Sequence, residues 1–205
     1  MSANIYRPLL DRIQQKHLWD IEHNWEKKRW HINYPPATEE QLRISEAALG
    51  FSFPSLLRAI YLQIANGGVG PRRGLMGAIG GFVDNTGNIV EAYLWRKQQF
   101  QPIDLAECEK RAYETSIKDI PFKLVSNLEM EPPVGTWPEG LLDFYHHGCG
   151  DFSCIDIQSG RIFVGGNPYL WYGANSLEEW LERWLADDFY PAEHEGDSYL
   201  PQAHD

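Results

Sequence analysis

The stretch HHGCGDFSCIDIQSGRIF, residues 146–163, places His146, His147, Cys149, Asp151, Cys154 and Asp156 within the length of one hairpin. These residue types can ligate a metal or form a nucleophile and its base. Zinc ligands commonly come in C-x-x-C or H-x-x-x-H pairs, because such spacings let both side chains reach one ion. Cys149 and Cys154 are spaced differently, the only other cysteine is Cys108, and no second ligand pair exists. A thiolate at Cys149 with His146 or His147 as base is the other chemistry within reach. Nothing in the sequence supplies an oxyanion hole or a third group to orient the base, and the H-x-E plus P-C-x-x-C pattern of zinc deaminases is absent. The expectation is therefore no metal, no cofactor and no catalysis, with the cysteines acting as small hydrophobes in a sheet.

A second candidate is GGVGPRRGLMGAIGGFVDNTGN, residues 67–88, where eight glycines exclude a packed helix and predict a loop of special backbone angles. Arg72 and Arg73 beside backbone amides suggest an anion cradle. A phosphate loop, however, needs Gly followed by Lys and then Ser or Thr, and Gly68-Val69-Gly70 is followed by Pro71-Arg72-Arg73 rather than by the remainder of a dinucleotide fingerprint. Asp84-Asn85-Thr86-Gly87-Asn88 fails the calcium-loop template, since Ile89 and Trp95 stand where Gly and Glu are required. It reads as a turn.

The elements that must position these stretches follow from periodicity. Ile5, Leu9, Leu10, Ile13, His17, Leu18 and Ile21 recur at helical steps up to about Asn24. Trp25 and Trp30 flank the basic Lys27-Lys28-Arg29, and Pro35-Pro36 imposes an extended approach to the next element. Thr38-Glu39-Glu40-Gln41 is a capping box opening a helix that runs to Leu49 and stops at Gly50; a second helix follows Pro54 and ends at Asn66-Gly67. Helices are expected again over Ile89–Gln99 and within residues 103–120. From Pro121 the pattern shortens to the strand-like FKLVSNL, DFSCIDI and GRIFVGG, and Ser176 caps a last helix whose Leu177, Trp180, Leu181, Trp184 and Leu185 form one stripe, with Glu178, Glu179 and Glu182 toward water.

At 205 residues the chain holds one substantial core. It has no apolar run approaching a membrane span and no signal-peptide core, so the cytoplasm is the expected compartment. Charge is uneven: 29 acids face 18 bases overall, and residues 178–205 carry nine acids and one base. Such a surface disfavours direct nucleic-acid binding and speeds encounter with a basic partner.

The capped helix, LGFSFPSLLRAIYLQIANGG, WPEGLLDFYHHGCGDFSCIDIQSGRIF and SLEEWLERWL together resemble the SUKH superfamily, in the branch of the fungal cell-wall assembly regulators and their bacterial immunity-protein homologues. Leu49-Gly50 with Pro54, and Asn66-Gly67-Gly68, resemble the N-terminal signature. Trp137-Pro138, Gly148-Cys149-Gly150, Ser153-Cys154-Ile155-Asp156 and Gly160 resemble the central hairpin, with Asp143 and His147 standing where many bacterial relatives have Pro and Trp. The resemblance implies an α+β fold with an antiparallel sheet of about four to six strands and helices packed on it. It divides the chain into a helical extension over 1–37, a SUKH-like domain over 38–186 and an acidic tail over 187–205. It also implies a non-enzymatic immunity protein that occludes a toxin domain, a basic nuclease, or alternatively a regulatory or scaffold module. The expected partner-binding residues are Asp143 and His147 at the mouth of the hairpin beside Trp137, and Arg72 and Asp84 in the glycine loop, since polar loop residues on a rigid scaffold are where binding usually resides.

Overall fold

The computed structural model describes residues 5–29, 32–116, 129–148, 151–166 and 169–187. Among them the order is α1 (Arg7–His23), α2 (Trp25–Arg29), α3 (Glu39–Leu49), α4 (Ser55–Gln63), α5 (Ile89–Gln99), β1 (Gln101–Ile103), α6 (Leu105–Ser116), β2 (Glu129–Met130), β3 (Thr136–Pro138), β4 (Leu141–Gly148), β5 (Asp151–Asp156), β6 (Ile162–Gly166), β7 (Tyr169–Ala174) and α7 (Leu177–Leu185). The fold is α+β, as expected: five antiparallel strands in the order β2-β7-β6-β5-β4, with a short parallel pair β1-β3 beside them.

The sheet is covered on both sides, which explains why β5 is buried at every position after Asp151. Alternation sends Ile155 toward a core shared with Leu42, Leu57, Ile60, Phe144 and Trp180 from α3, α4, β4 and α7. Phe152 and Cys154 point the other way, into a second cluster with Leu105, Cys108, Trp137 and Phe163.

Caps fix the helix starts. Thr38 accepts from Gln41 N while the Gln41 side chain returns to Thr38 N, and Gly50 ends α3 at φ 84°. Asn88, expected to belong to a turn, instead caps α5 and completes a second capping box with Glu91. Ser176 caps α7. The strand expected at FKLVSNL lies outside the described residues, while β7 is a strand the periodicity did not single out.

The N-terminal helices join the main core rather than standing apart, because Leu10 and Ile13 of α1 are buried within it. Arg12 clamps Glu182 of α7 with two bonds of 2.7 and 2.8 Å, so Glu182 faces a partner and not only water. The inward face of α1 departs from the expected stripe where Ile5 and Leu18 are exposed and Asp20 is buried, while Leu10, Ile13 and His17 are buried as expected.

Candidate interaction site

The glycine-rich loop lies against β4. Gly68 N donates to Leu75 O and Leu75 N to Val69 O, both at 2.7 Å, folding the loop into a narrow tongue. A Cβ on Gly74, which sits at φ 82°, would lie 2.2 Å from the Gly68 carbonyl, so the two limbs close only without a side chain. The tongue then docks: Met76 N donates to Phe144 O at 2.9 Å, Leu75 bridges to Tyr145, and the buried Tyr61 hydroxyl donates to Met76 O at 2.6 Å.

This docking brings three of the five expected site residues together. At the tongue's tip Arg72 adopts φ 45°, an unusual angle for a non-glycine residue, and its guanidinium donates to His147 O at 3.0 Å. Asp84 Oδ1 accepts from both the amide and hydroxyl of Thr86, at 2.8 and 2.7 Å, and its Oδ2 lies 3.3 Å from His146 Nδ1. His147 Nε2 is 2.8 Å from Ser153 Oγ, and its ring meets Tyr145 edge-on. Burial, reinforced by Arg72 and His146, lowers the His147 pKa to about 4, so the ring is neutral at physiological pH.

Trp137 and Asp143 lie elsewhere. Expected at the exposed mouth, they are buried, at 6% and 2% exposure. The physical reason is Arg96 of α5, whose Nε reaches Asp143 Oδ2 at 2.5 Å and whose guanidinium lies over the rings of Trp137 and Phe152, 4.2 and 4.0 Å from their centroids, where the two rings meet edge-on. A carboxylate on this side of β4 is stable because a cation from another element meets it. Cys154 donates its thiol to the other oxygen of Asp143 at 3.2 Å.

The chemistry of the hairpin is correspondingly quiet. Cys154 is fully buried and its thiol is pushed well above its usual pKa, first by burial and then by Asp143, which opposes thiolate formation. Among the described residues no group of three or more His, Cys, Asp or Glu is arranged to hold a metal. Cys149 lies outside them. No helix of the described residues is long and apolar enough to cross a membrane.

Two features were missed by sequence reasoning. One is a buried cluster beneath the N-terminal helices: Lys27 Nζ donates to Gly68 O at 2.8 Å and stands 3.7 Å from Asp20 Oδ2, with His17 beside them. The other is a groove lined by Trp19, His23, Asn24, Trp25 and Arg72, in which Trp19 and His23 stack at 4.5 Å. The only sequence signals were the i,i+4 spacing of Trp19 and His23 and the basic run after Trp25.

Comparison with curated proteins finds no match. A family model, by contrast, matches residues 36–183, from the approach to α3 through most of α7, and therefore spans the tongue, the hairpin and both faces of the sheet. On that match, the chain belongs to the SMI1 / KNR4 family (SUKH-1).

Proposed function

We propose that this protein is an immunity protein: it binds a protein toxin domain, a nuclease with a basic cleft, and neutralises it by covering the active site. The observation that carries the reading is family membership across residues 36–183, which supports a protein-interaction or immunity role. Family members are generally non-enzymatic. The excess of 29 acidic over 18 basic residues adds to it, since complementary charge accelerates docking and aromatic anchors supply affinity. Arg72, Asp84 and His147, joined by His146, form the contact surface. Trp137 and Asp143 act from beneath, by holding β4 in place. The site of action is the cytoplasm, and no cofactor takes part.

Co-expression with the product of an adjacent toxin gene tests this: cells should survive with the protein and die without it. Equal killing in both cases refutes it. Recovery of a stable housekeeping partner and no toxin from the native host would instead favour a regulatory module, the role of the fungal branch that the sequence resembles.

A further inference from the structure

The groove of Trp19, His23, Asn24, Trp25 and Arg72 lies largely on helices preceding the family-matched segment. Both tryptophans are more than half exposed, at 57% and 62%. Large aromatic rings presented together on one surface mark an interaction site. Bases outnumber acids around it: Arg72 lines the groove, Lys28 and Arg29 share the α2 face of Trp25 by their spacing and Arg73 follows Arg72, against the exposed Glu22 three residues from both tryptophans. In a chain with 29 acids and 18 bases this is an exception, and it selects an acidic occupant.

The chain itself carries one. Residues 188–205, DFYPAEHEGDSYLPQAHD, contain five acidic residues, no Lys or Arg, and the aromatic Phe189, Tyr190 and Tyr199. The segment departs from Asp187, whose carboxylate is held by Lys16 Nζ of α1 at 2.5 Å. Lys16 is one helical turn from Trp19. The axial distance from Lys16 to the end of α1 is ~10 Å at 1.5 Å per residue, whereas residues 188–205 can span up to ~60 Å when extended. Reach, charge and aromatic content all agree.

We infer that residues 188–205 dock in cis onto the groove of Trp19, His23, Trp25 and Arg72, with carboxylates toward the basic rim and aromatic side chains on the tryptophans. Tethering at Asp187 gives the segment an effective concentration in the millimolar range, so an intrinsic Kd of ~1 mM keeps it docked about half the time. The inference shares Arg72 with the proposed toxin-contact surface but does not rest on that reading, and the two fail in separate experiments.

The test follows the indole N–H resonances of Trp19 and Trp25, assigned with Trp19→Phe and Trp25→Phe variants, in the full chain and in a chain ending at Asp187. The two resonances should differ between the chains, and a synthetic peptide of residues 188–205 should restore the full-chain positions when added to the short one. Raising salt to ~1 M, where the screening length falls to ~3 Å, should weaken that binding. Reversing both exposed charges, Lys28→Glu with Arg72→Glu, should reduce peptide affinity by about tenfold or more. Identical Trp19 and Trp25 resonances in the two chains overturn the inference, as does a peptide that leaves the short chain unchanged. Shifts in the full chain that disappear on dilution also overturn it, because the occupant is then the tail of a second copy.

Discussion

Arg96–Asp143 and Lys27–Asp20 are both buried ion pairs, yet one closes at 2.5 Å and the other at 3.7 Å. Around the first, two aromatic rings flank the guanidinium and a thiol satisfies the second carboxylate oxygen. Around the second, desolvation dominates: it lowers the Lys27 pKa to about 8, raises that of Asp20, and leaves His17 Nδ1 without a hydrogen-bond partner. The Arg96 pair ties α5 to the sheet inside the family-matched segment; the Lys27 cluster ties α1 and α2 to Gly68 from outside it. A tight pair with both carboxylate oxygens satisfied holds the frame, although the neighbouring Trp137 Nε1 is buried without a hydrogen-bond partner. A loose, half-satisfied one fastens an element that opens at lower cost.

Four experiments break or sharpen this contrast. Asp143→Ala leaves the buried Arg96 guanidinium without its carboxylate and should lower global stability by about 3–5 kcal/mol, read as a fall in the denaturant midpoint. Lys27→Met removes the donor from Gly68 O and should cost about 1–3 kcal/mol, with faster hydrogen exchange confined to α1 and α2. Equal acceleration in β5 and β6 would show that the two pairs secure a single cooperative unit.

Acid provides the third. Folded His17 stays neutral down to about pH 3 because it is buried, while the unfolded residue protonates near 6.5. The unfolded chain therefore binds the extra proton between these values, and stability is lost as pH falls through that window. His147, lowered to about 4 by burial, acts in the same direction. Asp20, raised by burial, has the opposite sign. Stability should fall by about 2 kcal/mol for each histidine at ~pH 5. His17→Leu should remove about half of the histidine-dependent loss, as measured by denaturant titrations at the two pH values.

The smallest effect is expected where the two regions meet. Arg72 lines the N-terminal groove and also donates to His147 O of β4. Arg72→Gly relieves the φ 45° conformation while losing that exposed bond, so the melting midpoint should change by no more than about 1 kcal/mol equivalent. Loss of toxin protection with the fold intact would make Arg72 a contact residue.

How much of this was legible depended on whether the determining interaction was local. Thr38 with Gln41, Gly50, and the Leu177–Trp184 stripe lie within a few residues of what they control, and helix boundaries followed. Asn88 was misplaced because an Asn after Asp84-Asn85-Thr86-Gly87 suits a turn as well as a cap, and only Glu91 distinguishes them. Asp143 looked like a surface carboxylate because its partner, Arg96, is 47 residues away. The inward turn of Asp20 likewise depends on Lys27 arriving from a separate helix. Arg72, Asp84 and His147 were grouped from their polarity and loop placement, and the tongue does unite them, but no spacing rule foretold that the tongue would run along β4.

That path along β4 limits how any partner can engage the sheet. Among the described strands β4 lies at the edge of the sheet, and such an edge invites another chain to add a strand through its unpaired backbone groups. Around Phe144 and Tyr145 the Leu75-Met76 segment already occupies that position, so the protein supplies its own blocking strand. Any chain approaching β4 at these two residues would meet side chains rather than free strand backbone.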